Sequence, residues 1–372
     1  MGIKGIKDLL KKQLSSSYEE RVPMKKFENK KVVVDASLFL CMYKAARKDM
    51  YEEAFMTLFA TLLEHKIHPT FVFDGQSPKE KSNEKRKRAE KKDASIARVQ
   101  KLESDLEKYN ETGEISQDLR DISGKVCSTQ IIRKGVSSGE FSASKAKQYI
   151  EKLRANILHI TEEDFKNLYE LLTIFGIPYI MAEGEAEILC AELVKSGMAD
   201  AVMTKDTDVL ACCVPVMLYD VDLVAKEFTQ IRIESILSGL DLDEASWLDL
   251  CIMCGTDFND NIPRVGPVTA LNYIKKYKNI ETIGESVTKE DKQTKQKVKL
   301  DISVLAHEKT RELFKCDNKP DKLEPTSGAD IEKIEQRVMD RRLKISVPTI
   351  RHKLGIYPFE MEKVEKMKKV RQ

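Results

Sequence analysis

The sequence predicts an α/β protein with a mostly parallel central sheet flanked by helices. Lys31-Val32-Val33-Val34-Asp35 is a continuous β-branched run, the pattern of a strand buried on both faces. Thr70-Phe71-Val72-Phe73 is a second such run. Between them a helical stretch from about Leu38 to Lys66 stops at His68-Pro69, which makes a βαβ unit. Each strand leads into an acid, Asp35 or Asp74, at the edge where open α/β sheets place ligands.

After Asp74 the character changes. Residues 79–92 carry eight Lys or Arg against three Glu, a local charge of +5. The stretch from roughly Asn110 to Ser144 is polar with scattered Gly and Ser, and reads as a mobile insertion rather than core. Order returns at Thr161-Glu162-Glu163-Asp164, a capping-box pattern. The helix it opens runs through Phe165, Leu168, Leu171, Leu172 and Ile174 and stops at Gly176. Pro178-Tyr179-Ile180 is a short strand, and Gly184-Glu185-Ala186-Glu187 starts the next helix. Strands follow at Ala201 to Thr204 and Val214 to Tyr219, then a helix from Trp247 to Cys254 leads into Gly255-Thr256-Asp257-Phe258. Beyond Tyr277 the chain reads as charged helices and loops, with a Pro-containing linker from Asp317 to Gly328. The organisation expected is a core formed by 1–78 and 161–285, a basic insertion at 79–160 and a charged extension at 286–372.

Composition excludes several classes. The 372 residues are 41% hydrophobic, enough for a sizeable core, and 63 Lys and Arg nearly cancel 61 Asp and Glu. Eight cysteines without a disulfide-like framework suit a reducing compartment. Cys251 and Cys254 form a lone CxxC flanked by Leu250, Ile252 and Met253, which reads as the buried face of a helix rather than zinc or redox chemistry. No apolar run approaches the ~20 residues of a spanning helix. Ile6 stands where a myristoylation signal wants Ser or Thr, so a soluble intracellular protein is expected.

Seven acids recur in one context. Asp35, Asp74, Asp206 and Asp208 follow strands, Glu185 and Glu187 sit at a helix start after a short strand, and Asp257 follows a helix. In a parallel sheet these positions converge on one edge. So many carboxylates would repel one another unless divalent cations neutralise them. An all-oxygen donor set without His or Cys favours Mg²⁺, with Mn²⁺ as a substitute, over zinc. Two such ions roughly 3.5–4 Å apart suit phosphodiester hydrolysis. Taken singly, each acid has a structural alternative, as a helix cap or a dipole partner; their joint occurrence carries the reading.

These residues resemble the flap endonuclease family within the XPG-type structure-specific 5′ nucleases. The likeness rests on MGIKG at the start, VVVDAS at 32–37, FVFDG at 71–75, residues 175–197, TKDTDVL at 204–210, LCIMCGTDF at 250–258 and IPRVGPVTA at 262–270, in the family's order. The resemblance implies a PIN-like 5′-nuclease fold with a helical arch and a helix–hairpin–helix element. It implies Asp35, Asp74, Glu185 and Glu187 around one Mg²⁺, and Asp206, Asp208 and Asp257 toward a second. It also implies cleavage near the base of a 5′ flap, leaving a 5′-phosphate and a 3′-hydroxyl; the function expected is a 5′ flap endonuclease with some 5′–3′ exonuclease activity. Lys81 and Arg88, seven apart and so on one face of a helical arch, would reach the scissile phosphate; the alternative is a solvated basic helix. Arg264, Val265, Gly266 and Thr269 would grip the duplex backbone, with Arg47 a further phosphate contact.

The sequence departs from the family's pattern in places. Arg264 stands where the hairpin has its first Gly, and Cys41 stands where an aromatic residue stacks on the template, with Tyr43 nearby. The segment from Asp35 to Asp74 is short, the polar insertion is long, and EKVEKMKKVRQ at 362–372 lacks a sliding-clamp peptide. The expectation is a compact monomer of viral or divergent eukaryotic type, acting on flapped or branched DNA in the nucleus or another replication compartment, with no membrane partner. A gap, bubble or junction nuclease of the same chemistry, and a non-catalytic DNA-binding relative, are the alternatives.

Overall fold

The computed structural model describes residues 2–122, 141–155, 157, 159–290, 297–315 and 319–355. They fall into two compact units, one of Met1–Lys81 with Thr161–Gln372 and the other of Ser82–Ile160.

The first unit is built on a seven-stranded sheet. Its strands are β1 (Glu19–Pro23), β2 (Lys31–Asp35), β3 (His68–Phe73), β4 (Tyr179–Met181), β5 (Ala201–Met203), β6 (Val216–Asp222) and β7 (Glu227–Arg232). The order is β1-β7-β6-β5-β2-β3-β4. The five strands from β6 to β4 run parallel to their neighbours, while β7 and β1 are antiparallel. β2 lies between β3 and β5, so the chain leaves three adjacent strands on the same side, at Asp35, Asp74 and Thr204. Val32, Val33 and Val34 are fully buried, as their unbroken β-branched run predicts. On one face Val33, Val72 and Val202 join the core under the helix Ala186–Lys195. On the other, Phe71 meets Phe55 and Phe59 of the helix Tyr51–Glu64 edge to face.

One local expectation is corrected. The stretch from Leu38 to Lys66 is two helices, Ala36–Arg47 and Tyr51–Glu64, separated by the 3-10 turn Lys48–Met50, with Lys48 at φ 52. The antiparallel β1 and β7 were not foreseen. By contrast, the capping box forms as its pattern predicts: Thr161 and Asp164 exchange hydrogen bonds at the start of the helix Glu162–Ile174. Cys251 and Cys254 are buried within the helix Glu244–Cys254, in keeping with a core face. No helix among the described residues is long and apolar enough to cross a membrane.

From Lys319 to Asp330 the chain has no regular element but is tied to the core. Ser327 N donates to the Gly176 carbonyl at 2.8 Å, and Asp330 N to that of Ile174 at 2.8 Å. Gly176 sits at φ 65, and a Cβ there would lie 2.5 Å from Ser327 Oγ, so this crossing needs glycine.

The second unit contains the helices Ser82–Thr112 and Ala143–Ala155. Val99, Leu102, Leu119, Ile122, Ala146 and Ile150 form a small buried core. The stretch 110–144, read as an insertion without a core, thus contributes Leu119 and Ile122 to this cluster, with the partly buried Phe141 packed against it; its heart, 123–140, lies outside the described residues, as does the 362–372 tail.

Candidate active site

Each acid is placed by a strand end or a helix start. Asp35 closes β2 and caps the helix Ala36–Arg47, accepting from Leu38 N at 3.0 Å. Its other oxygen accepts the Thr204 hydroxyl at 3.0 Å. Asp74 follows β3 and accepts from Ala186 N at 2.9 Å, which ties that strand to the helix Ala186–Lys195. Glu185 and Glu187 stand at the N-terminus of that helix, where the dipole favours negative charge. Asp206 follows β5 and accepts from Asp208 N at 3.1 Å, while its own N–H donates to Thr204 Oγ1 at 3.0 Å. Asp208 opens the short helix Asp208–Ala211, and Asp257 follows Gly255, which ends the helix Glu244–Cys254 at φ 90.

Oxygens of Asp74, Glu185 and Glu187 all lie within 4.8 Å of one another. The other side of the cluster is joined to them by one cation. Lys81 Nζ pairs with Glu185 Oε2 and lies 3.5 Å from both Glu187 Oε1 and Asp257 Oδ2. Six of the seven acids are buried, and Asp74 is partly so.

That burial is electrostatically costly. It pushes the Asp35 carboxyl up to about 7, with Asp74 and Asp206 adding to the rise against the Leu38 amide and Thr204 hydroxyl. Burial also carries Asp208 and Glu187 well above the usual carboxylate range, and raises Asp206. Lys81 opposes the rise at all three. Oε1 of Glu185 is buried without a hydrogen-bond partner, and the fully buried Asp208 carboxylate is met by the Asp257 backbone amide alone among hydrogen-bond donors. Orphaned anionic oxygens of this kind are rare, and hard divalent cations bind such all-carboxylate donor sets. The residues fit metal ions.

Of the other expected site residues, Lys81 stands at the cluster itself. Lys81 lies not on a helix but on the 3-10 turn Lys79–Lys81, buried at 8% exposure. It therefore shares no helix face with Arg88, which sits on Ser82–Thr112 and pairs with Glu84 at 3.1 Å. Arg47 is exposed at the end of its helix. Arg264 is exposed and adopts φ 65, so it keeps the left-handed turn at which glycine would be unstrained. Val265 is fully buried and its N–H donates to the Ile262 carbonyl at 2.9 Å, so it holds the turn from inside rather than facing a partner. Gly266 is exposed and caps the helix Pro267–Tyr277, whose first turns hold the partly buried Thr269. Tyr43 packs edge to face on Phe39 and Phe55.

Sequence reasoning missed Thr204, Thr207 and Gly2. Thr207 Oγ1 accepts from Ile3 N at 2.9 Å. This lays Gly2, at φ 89, so close that a Cβ would fall 2.2 Å from Asp206 Oδ1. The glycine at the start of MGIKG was the available signal.

The chain matches the XPG N-terminal domain over residues 1–95 and the XPG I-region over 176–257, two stretches that between them hold all seven acids. It is 32% identical over 289 residues to the putative RAD2-like endonuclease 095R of Frog virus 3, spanning 76% of this chain and 78% of that one. The chain belongs to the flap endonuclease/XPG family. Flap endonuclease 1 of Xenopus tropicalis is 30% identical over 307 residues, 77% of this chain and 69% of its own. The fold matches the catalytic core of Rad2 in complex with DNA substrate, with a TM-score of 0.62 at 19% identity, over 95% of this chain and 99% of that one. Flap endonuclease-1 from Methanococcus jannaschii matches with a TM-score of 0.54 at 18% identity, over 91% and 94%. As a member of this flap endonuclease/XPG family, the protein is an endonuclease that hydrolyses phosphodiester bonds, with an acidic cluster able to hold metal.

Proposed function

We propose that this nuclease cuts DNA near the base of a 5′ flap and works with two Mg²⁺ ions, which Mn²⁺ can replace. The observation that carries the reading is the gathering of mutually repelling, buried carboxylates, with Oε1 of Glu185 left without a hydrogen-bond partner. Asp35, Asp74, Glu185 and Glu187 would hold one cation; Asp206, Asp208 and Asp257 would hold the other. Divalent cations there supply Lewis-acid stabilisation for the charge that develops as water attacks the phosphodiester.

The chain's own groups do the rest. Asp35 and Asp74 are fixed by hydrogen bonds to backbone amides, so the pocket is preorganised for a cation. Lys81 supplies positive charge to the scissile phosphate. Arg47, Arg264, the Gly266 backbone and Thr269 hold the duplex by its phosphates.

The test is a panel of labelled flap, nick, bubble and four-way-junction substrates cut with and without Mg²⁺, alongside Asp206→Asn. Fastest cleavage of single 5′ flaps, abolished by the substitution while flap binding stays within a few-fold, is expected. Fastest cleavage of bubbles or junctions overturns the flap assignment, and full activity of Asp206→Asn overturns the metal centre.

A further inference from the structure

Lys81 already stands where cationic charge is required. Its ammonium is shared among Glu185, Glu187 and Asp257. It therefore spans carboxylates from both halves of the cluster. Its side chain is 10% exposed, a degree of burial at which a lysine needs anionic partners to stay charged. It reaches the cluster from a short turn after Pro78 that is also tied outward, with Glu80 paired to Lys309.

We propose that Lys81 is a built-in counter-cation that divalent metal must displace: it occupies the carboxylate pocket of the metal-free protein and is expelled as cations load. The inference rests on the metal-centre reading above. The physical ground is competition for the same oxygens. Glu185, Glu187 and Asp257 cannot give their lone pairs to the ammonium and to a cation at once, and a dication beside a lysine repels it. Two ligands that exclude one another are linked, so each weakens the other by the same factor. Lys81 thus lowers metal affinity while it holds an otherwise self-repelling pocket together.

The experiment uses the full chain without DNA. Mn²⁺ binding is measured by calorimetry for wild type, Lys81→Met and Lys81→Arg, with thermal melting of each metal-free protein. Lys81→Met should bind Mn²⁺ about tenfold more tightly and melt lower without metal, while Lys81→Arg stays close to wild type. Equal or weaker Mn²⁺ binding by Lys81→Met, with wild type still binding, overturns the displacement and leaves the metal centre standing. Absence of Mn²⁺ binding by every form overturns both. Should Lys81→Met fail to fold, reductive methylation of the wild type read by mass spectrometry decides. Lys81 should be protected without metal and become labelled when Mn²⁺ is added; unchanged labelling overturns the proposal.

Discussion

The hydroxyl of Thr204 donates to the carboxylate of Asp35 across 3.0 Å, linking the ends of two adjacent parallel strands. The same oxygen accepts the N–H of Asp206 at 3.0 Å, so one side chain aims two of the acids. Thr204→Val keeps the shape but removes both bonds. Outer partners of metal ligands are typically worth about 10- to 100-fold in affinity or activity. Thr204→Val should lose about that much Mn²⁺ affinity, and Thr204→Ser should retain it; titration of the two variants side by side is the check.

Gly2 is a steric requirement. A methyl group there would lie 2.2 Å from Asp206 Oδ1 and 2.7 Å from Asp208 N, on a backbone at φ 89. Either the N-terminal segment or the two acids must shift. A misplacement on the ångström scale can cost about 100-fold in rate, so Gly2→Ala should lower single-turnover cleavage by about that factor. Circular dichroism should show the fold retained.

Arg311 is the counter-ion of a buried acid. It forks onto Asp249 at 2.8 and 2.7 Å and onto Glu281 at 2.6 and 3.0 Å. Asp249 is 3% exposed and also accepts from Ile280 N at 3.1 Å. Removing one partner of a buried pair costs about 3–5 kcal/mol, because the remaining charge is stranded. Arg311→Ala should destabilise by that order in urea unfolding, and adding Asp249→Asn should recover part of the loss.

The same arginine predicts an acid dependence. Its hydrogen bond to Glu281 holds that carboxyl down at about 2, below its ordinary 4.5. A depressed acid stabilises the fold above its unfolded pKa and loses that contribution as pH falls through the folded one. The stability advantage of wild type over Glu281→Gln should therefore be full above about pH 4.5 and shrink steadily toward pH 2. Denaturant midpoints of the two proteins between pH 6 and pH 3 test this; a gap independent of pH would assign Glu281 another role.

What could be read from the sequence was whatever local pattern encodes. β2 and β3 announced themselves because strands buried on both faces are unbroken apolar runs, and an acid after each marked the ligand-bearing edge. β1 did not, because only Val22 of its five residues is buried and Pro23 closes it, as suits an edge strand. The break at Lys48 rests on a left-handed residue with no glycine to signal it. Lys81 was singled out as a phosphate contact, but its burial was illegible: a lysine in a basic run has no local sign that its partners lie more than a hundred residues away. Thr204 and Gly2 act through contacts that exist only once the strands are side by side.

Glu52 is 3% exposed on the helix Tyr51–Glu64, and the guanidinium of Arg337 reaches it at 2.8 Å. Arg337 also donates to Asn167 at 2.8 Å, and Lys353 to Thr61 at 2.7 Å. Shortening the protein to the segments that bear the seven acids would thus do more than trim an appendage. It would strip the neutralising partner from an acid embedded two hundred and eighty-five positions upstream. A minimal version of this enzyme must keep residues 331–353, or carry Glu52→Gln in their place.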